Sequence, residues 1–394
     1  MVTQGELGGA QRYVFDLATN LERGYYEILV VAGGEKLELS GKLKTAGIAV
    51  RLAKNLVRNI SPLRELAAIW ELKNIIENFK PDILHLNSTK AGILGSLAGK
   101  LAGVKNIIFT AHGFHFLEPE NWLVGKISFW LEKFATKFRK KVICVSEFDR
   151  QAAIQAGLCP AEKLITIHNG ISLDTPPRQE GLGEVIENNA FCDPLSISPS
   201  PARPAGGRGG EKKITIGTIA HDYPTKDLNT LREAFAIVKR EFSRAELKII
   251  GRGSKFGEIN NAANLLPTFD IYVCSSIKEG FPYSILEAMA AGLPIVSTSV
   301  GGIPEAISPS LSLSPGEGRV PEAYSRPGRE VEKATGVLVP PQDPQALAKA
   351  IRFLLENPAA AKTLGKNAQE KVKYFSLKKM ISATEKVYRE LLES

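Results

Sequence analysis

Two carboxylates, Glu279 and Glu287, stand eight positions apart in KEGFPYSILEAMAAGLPIVSTSVGGIPEA, residues 278–306. SILEAMAAG has helical apolar spacing, which predicts a helix that starts near Ser284 and ends at Gly292, with Pro294 beyond. Glu287 then falls in the first turn and Glu279 in the loop ahead of it. The leading N–H groups of a helix lack intrahelical partners, and the positive end of the macrodipole stands behind them. Such a start can seat a diphosphate. Flanking carboxylates could accept hydrogen bonds from sugar hydroxyls, one set on a ribose and one on a transferred hexose. A plainer assignment fits equally well, with Glu287 as a dipole partner and Glu279 as a solvated loop charge. Two residues at one spacing do not choose between them.

The elements around this pair are more decisive. At 394 residues the chain exceeds one ordinary core, and its 44% hydrophobic and 23% charged content is that of a globular protein. No apolar run reaches bilayer length, and Glu6 and Asp16 stand where a secretory signal would be basic and then apolar. Cys144, Cys159, Cys192 and Cys274 form no CxxC pair, and Cys144 and Cys274 lie in apolar strand-like runs. That usage predicts a reducing cytosol, with neither a disulfide framework nor a zinc site. The net charge of +8 favours an anionic partner, nucleotide or lipid head group, and singles out no nucleic acid.

Continuous Val- and Ile-rich runs alternate with helical patterns. Strands are predicted at YEILVVAG, DILHLN, NIIFTAHG, KVICVS and KLITIHNG, then at KITIGTIA, ELKIIGRG, DIYVCSS, LPIVSTS and GVLVPP. Apolar runs without alternation mean strands covered on both faces, hence parallel sheets flanked by helices. The fold class is therefore α/β, two doubly wound parallel-sheet domains. The expected division is 1–170, a linker at 171–212 and a second domain at 213–375, with a helix at 376–394 returning to the first domain. Ligands in such sheets gather at the C-terminal strand ends, so the cleft between the domains is the expected site. The Ser/Pro- and Gly/Arg-rich stretches 195–211 and 308–322, the second within an insertion spanning 308–330, are expected to be unstructured surface insertions.

In NWLVGKISFWLEKFATKFRKK, residues 121–141, Trp130, Phe134 and Phe138 recur at four-residue spacing. The spacing predicts a helix docking its aromatic stripe on the sheet before KVICVS. The alternative is a basic amphipathic helix, charged by Lys126, Lys133, Lys137, Arg139, Lys140 and Lys141, resting on an anionic membrane.

Several blocks then fall in one order: GGAQRYVFDLA, HLNSTKAGILGSLAGKLAGV, FTAHG, VICVSEFDR, ITIHNGI, IGTIAHDYPTKDL and EGFPYSILEAMAAGLPIVSTSVGGIPEAI. The last resembles the Glu-x7-Glu signature of the family 4 retaining glycosyltransferases, and the other blocks follow that family's order over nearly the whole chain. The resemblance implies the GT-B fold, with two Rossmann-like domains. It also implies transfer of a sugar from a nucleotide-diphosphate donor to a glycan or lipid-linked acceptor, in cell-surface polysaccharide or glycolipid synthesis. It implies a cytoplasmic enzyme without metal or other cofactor, in peripheral contact with the inner face of the membrane where acceptors are lipid-linked.

Residue by residue, the family places the first glutamate on the donor sugar, here Glu279, and the second on the ribose, here Glu287. Gly280, Phe281 and Ser284 fall in the turn and helix start beside the donor. Lys226 matches the lysine that neutralises the diphosphate. His221 replaces the usual arginine five residues earlier, which implies weaker leaving-group stabilisation because histidine is largely neutral near pH 7. Asp227 stands where a glycine is frequent. Gly8 and Gly9 match the first glycine-rich loop, and His112 matches the active-site histidine. No Asp-x-Asp motif and no His/Asp cluster at ligand spacing accompanies them.

The chain departs from the family twice. Only Met1 to Gln4 precede the glycine-rich loop, where a full strand is usual, and only SKFGEIN separates GRG from NAANLLPTFDIYVCSS, where a helix and strand are usual. These departures imply low stability, a start upstream or a damaged coding sequence, and a trimmed donor pocket. They also motivate a second reading, a non-catalytic nucleotide-sugar-binding protein of the same fold, against which intact Glu279, Glu287, Lys226 and His112 argue; a third, a sugar-nucleotide epimerase, shares the fold but fits the run around Glu279 less well.

Overall fold

The computed structural model describes residues 1–5, 8–34, 38–59, 61–118, 122–173, 213–257, 259, 261–307, 311–312 and 333–393. Residues 195–211 lie outside these, as does the linker from 174 to 212. The chain forms two compact units, Met1–Asn169 with Leu377–Ser394, and Gly170–Ser376.

In the first unit β1 (Leu29–Gly33) pairs with β2 (Ala49–Ala53), and β3 (Ile83–Asn87), β4 (Asn106–Ala111), β5 (Lys141–Cys144) and β6 (Leu164–Thr166) follow in order, all parallel. Val2 joins the two groups by parallel bridges to Ala32 and Asn87. Its N–H donates to Val31 O and its carbonyl accepts from Gly33 N, both at 3.0 Å, while Asn87 N–H donates to Met1 O at 2.8 Å. Residues 1–3 thus supply backbone pairing at the C-terminal ends of β1 and β3, in the place of the strand that sequence comparison expects there. Strand β2 has no counterpart among the predicted strands. Its AVRLA is mostly exposed, so it lacks the continuous apolar signal of a covered strand.

Side chains alternate across this sheet, as strand geometry requires. Ile107, Phe109, Val142 and Cys144 pack on one face with α3 (Pro62–Phe79) and α4 (Thr89–Leu101). Ile108 and Ile143 point to the other face, against Tyr13 and Leu17 of α1 (Gly9–Asn20) and Met380 and Tyr388 of α12 (Leu377–Leu392). The C-terminal helix therefore completes the core of the first unit.

Helix α5 (Trp122–Thr136) corrects two expectations. Its stripe does not dock on the sheet: Trp130 is 64% and Phe134 47% exposed. The helix ends at Thr136, so Phe138 lies beyond it and no longer shares their face. Arg139 is no surface charge either. Its side chain is fully buried, its Nη1 donates to Glu132 Oε1 at 2.7 Å, its Nε donates to Ser96 Oγ at 2.9 Å, and its guanidinium stacks 4.0 Å from the Phe109 ring centre.

The second sheet runs β11 (Leu311–Ser312), β12 (Val337–Val339), β10 (Ile295–Thr298), β9 (Ile271–Cys274), β7 (Ile214–Ile219), β8 (Ala245–Ile250), with parallel pairing throughout. β11 corrects the expectation that 308–322 carries no structure, since Leu311 and Ser312 pair in parallel with Val337 and Leu338 and extend the sheet beyond β12. Val273, Val296 and Val337 pack against α7 (Leu228–Glu241) and α10 (Pro344–Glu356). β8 is the sheet edge. Between it and β9 the described residues hold turns and a 3-10 stretch, Ala262–Thr268, with no strand or α-helix among them. The chain order reverses between β7 and β9, and in such sheets the crevice for ligands opens there.

Removing one partner of a buried ion pair strands the other charge, at a cost of about 3–5 kcal/mol. Arg139→Ala should therefore lower the melting temperature by on the order of ten degrees. Lys137→Ala, at an exposed neighbour, should shift it by no more than about a degree. Differential scanning calorimetry of both variants checks the contrast, and equal shifts would refute the assignment.

Candidate functional site

The loops leaving β7 and β9 meet at the point of reversal. After β7 the chain makes a 3-10 turn, Pro224–Lys226, and then caps α7. Ile277 N–H donates to Thr225 O at 2.9 Å and Ser275 Oγ donates to Lys226 O at 2.9 Å, which ties the two loops together. Across this seam Lys226 Nζ contacts Glu279 Oε1 at 2.5 Å, and Ser276 Oγ donates to the same oxygen at 2.7 Å. Burial disfavours the charge on Lys226, yet the Glu279 carboxylate outweighs it and holds the pKa above the usual lysine value. The pair keeps some access to solvent, with 26% of the Lys226 and 11% of the Glu279 side chain exposed.

Glu279 is held in place by backbone as well. Gly302 N–H donates to Gly280 O at 2.9 Å. A Cβ on Gly301, whose φ is +54°, would lie 1.7 Å from Glu279 O, so only glycine permits this approach. Phe281 is buried edge-on against Phe375, at 5.0 Å between ring centres. Helix α8 (Tyr283–Ala290) starts after Pro282 without a side-chain cap. Ser284 hydrogen-bonds the buried Tyr272 hydroxyl. Glu287 is the fifth helical residue rather than a member of the first turn, because the helix begins at Tyr283, one position before the predicted start.

His221 is already engaged. Its Nδ1 accepts the Arg252 N–H at 3.0 Å, which anchors the loop after β7 to the turn after β8. Asp227 adopts φ +44°, ψ +52°, the left-handed conformation that explains a glycine at this position in relatives of the motif. The aspartate offsets that strain by capping α7, its carboxylate accepting from Thr230 N and Thr230 Oγ1 at 3.3 and 2.7 Å.

In the first unit, Gly8 is the N-cap of α1 in an extended conformation, and a Cβ on Gly9 would meet only open space. His112 follows β4. Its Nε2 lies 3.0 Å from Asn87 Oδ1 and its ring packs edge-on to Tyr13 at 5.0 Å. A cavity of about 190 Å³ beside it is lined by Ser88, Thr89, His112, Phe114, Phe116 and Glu132, among others. Ser88 holds φ +68°, with its hydroxyl bonded to Thr3 N and Thr3 Oγ1 at 3.1 and 2.7 Å.

The structure thus brings Lys226, Ser276 and Glu279 into contact at the seam of two loops of the second unit; Gly280 and Phe281 follow in the chain, Ser284 and Glu287 stand on α8, and His221 lies on the loop before Lys226. It gathers His112 and the cavity on the first unit, where Gly8 and Gly9 open α1. Sequence reasoning missed Ser276, Gly301, Ser88 and Glu132. SSIKEG and VGG stand directly after strand patterns, a signal that could have pointed to the first two. Glu132 was hidden, since it reads as one acid in a basic helix. Among the described residues no group of three or more His, Cys, Asp or Glu side chains is placed to hold a metal ion.

Desolvation lowers the pKa of both His112 and His85 from 6.5 to about 3. Groups whose folded pKa lies below the unfolded value bind fewer protons when folded, so stability rises with pH through that window. The first unit should lose stability progressively as pH falls from about 6.5 towards 3. Thermal melts across this range check it, and His112→Asn should flatten part of the slope. A slope unchanged by that substitution would contradict the assignment.

The sequence matches the profile of Glycosyltransferase Family 4 over residues 7–175 and that of Glycosyl transferases group 1 over residues 212–357. It is 29% identical over 262 residues to the Escherichia coli UDP-Gal:alpha-D-GlcNAc-diphosphoundecaprenol alpha-1,3-galactosyltransferase, a match covering 63% of this chain and 65% of that one. It is 24% identical to the Campylobacter jejuni N,N'-diacetylbacillosaminyl-diphospho-undecaprenol alpha-1,3-N-acetylgalactosaminyltransferase, over 84% of this chain and 83% of the relative. The structure is similar to that of Anabaena HepE solved with UDP and glucose, with a TM-score of 0.72 at 19% identity over 98% of both chains. With two Rossmann-like parallel-sheet units of the GT-B fold and both family profiles matched in order, the chain belongs to glycosyltransferase family 4.

Proposed function

We propose that this glycosyltransferase is retaining, needs no metal, and moves a hexose from a nucleoside-diphosphate donor to a lipid-linked or glycan acceptor in polysaccharide or glycolipid synthesis. The observation that carries this reading is the contact between Lys226 and Glu279 beside the uncapped start of α8. Without donor the two charges neutralise each other. A diphosphate brings a second anion to Lys226, and Glu279 becomes available to accept hydrogen bonds from donor-sugar hydroxyls. As the bond between the sugar and the phosphate oxygen breaks, negative charge grows on the leaving diphosphate. Lys226 and the leading N–H groups of α8 are fixed positive partners for that charge, which is the task a metal would otherwise perform.

The remaining residues take supporting roles in this reading. Glu287 receives the ribose hydroxyls, and Gly280, Phe281 and Ser284 shape the turn that approaches the donor. His221 holds the loop of Lys226 against the turn after β8. Gly8 and Gly9 leave the backbone open to a diphosphate or an acceptor. His112, neutral at physiological pH because its surroundings desolvate it, offers the transferred sugar a hydrogen bond without a charge. Retention of configuration rests on the family. The lipid-linked acceptor is supported by the diphosphoundecaprenol compounds in the names of the E. coli and C. jejuni relatives.

Glu279→Gln should cut turnover by roughly tenfold to a hundredfold or more, since a charge-assisted hydrogen bond that tightens in the transition state is lost. Its melting temperature should fall by less than that of Arg139→Ala, because Lys226 keeps 26% of its side chain exposed and water can answer its charge. Lys226→Ala should weaken a nucleoside diphosphate more than the free nucleoside, because the lysine meets phosphate and not base or ribose. Calorimetric titration checks the second claim, and equal losses for both ligands would refute it. Product analysis over a panel of nucleotide sugars, with and without EDTA, identifies the donor; activity abolished by EDTA would overturn the metal-free reading.

A further inference from the structure

One oxygen of Glu279 carries two bonds. Lys226 Nζ meets Oε1 at 2.5 Å, and the Ser276 hydroxyl donates to the same atom at 2.7 Å. Neither engages Oε2. The two donors differ in how firmly they are held. Lys226 is a charge on a long flexible stem, with 26% of its side chain exposed, and in the function proposed above it turns to the diphosphate when donor binds.

Ser276 has no such freedom. It follows β9 directly and is 2% exposed. Its carbonyl accepts the Thr298 hydroxyl at 2.5 Å, and Thr298, the last residue of the neighbouring strand β10, is itself fully buried. Cys274 Sγ lies 3.4 Å from the Ser276 hydroxyl oxygen on its other side. One position earlier, Ser275 Oγ donates to the backbone carbonyl of Lys226 at 2.9 Å. Two adjacent serines therefore divide the work, one holding the lysine by its backbone and the other holding the glutamate by its carboxylate.

We propose that Ser276 is the positioning residue for Glu279 in the donor complex: it keeps Oε1 in place after Lys226 has moved to the diphosphate, and so presents Oε2 to a hydroxyl of the donor sugar. The inference rests on the donor-sugar role of Glu279 proposed above. A glutamate released by its lysine regains rotamer freedom, and fixing it again for the reaction costs entropy. A hydroxyl bonded to a carboxylate is a charge-assisted contact, strong enough to prevent that release. It is also neutral. A second cation in its place would be drawn to the diphosphate together with Lys226, whereas a serine hydroxyl stays where the strand end puts it. Ser276 touches no reacting atom in this scheme and acts only through Glu279, so its effect falls on turnover and not on donor affinity.

The test compares Ser276→Ala in the native and Glu279→Gln backgrounds, using the nucleotide sugar that product analysis identifies as donor. In the native background kcat should fall by roughly tenfold, with KM for the donor within about twofold. In the Glu279→Gln background the same substitution should cost less than about twofold, because the group it positions has already been lost. A serine that only packs would give equal losses in both backgrounds, and that result, or a loss confined to KM, overturns the proposal. A second measurement needs no turnover: crystals of the full chain and of Ser276→Ala soaked with inorganic pyrophosphate, standing in for the donor diphosphate. The native chain should show Lys226 on pyrophosphate and Glu279 still bonded to Ser276, and the variant should show Glu279 in another rotamer. Glu279 unmoved in the variant, Glu279 leaving Ser276 in the native chain, or Lys226 staying on Glu279 in the presence of pyrophosphate overturns the proposal. The expected crystals with no turnover of any nucleotide sugar would leave the hold on Glu279 intact and remove the transferase reading. Turnover lost in Glu279→Gln but unaffected by Ser276→Ala would do the reverse.

Discussion

Both sheets of this protein are parallel and, apart from the edge strand β2, built of largely buried strands, and that burial governs where chemistry can occur. A strand whose two faces are sealed accepts apolar side chains along its length, since an unpaired polar group there costs several times the energy of an ordinary contact. Ile107, Ile108 and Phe109 illustrate this, with successive side chains serving opposite cores. Polar and charged residues are displaced to the ends of the strands. Lys226, Ser276 and Glu279 follow β7 and β9, and His112 follows β4, all at C-terminal ends.

Holding a lysine and a glutamate in a partly desolvated crevice carries a cost that only good geometry offsets. The Ser276 hydroxyl on the shared carboxylate oxygen and the backbone seam from Ile277 to Thr225 provide that geometry. The glycine at 301 serves the same end, because it lets the chain pass closer to Glu279 than any side chain would permit, and the left-handed turn at Asp227 redirects the chain from the Lys226 loop into α7. The strain at Asp227 is offset locally, through the cap it gives to α7. The pair is thus held by contacts of the fold itself, and such preorganisation is the condition for electrostatic stabilisation of a leaving group.

Helix α5 shows the same economy in the first unit. A single salt bridge, Glu132 to Arg139, ties the end of the helix to the turn beyond it while its guanidinium stacks on Phe109 of the sheet. That anchor fixes the rotation of α5 about its axis. With Glu132 inward, Ser128 must face the cavity and Trp130 and Phe134 must face away.

Ten of the strands were legible in the amino-acid sequence, because continuous Val/Ile runs have no other stable home than a covered parallel sheet. The family was legible too, since Glu279, Glu287, Lys226 and His112 stand in motifs whose order is specific. Tertiary structure decided the rest. AVRLA became a strand because β1 offers a free edge, whatever its mixed composition. Residues 1–3 became part of the first sheet because β1 and β3 present backbone groups on either side of Val2. Arg139 was buried because Glu132, seven residues earlier, and Phe109, in a distant strand, converge on it. Periodicity reports which residues share a face of one helix, whereas which face turns inward depends on partners brought from elsewhere in the chain. That is why sequence spacing named the aromatic residues of α5 and assigned them the wrong side.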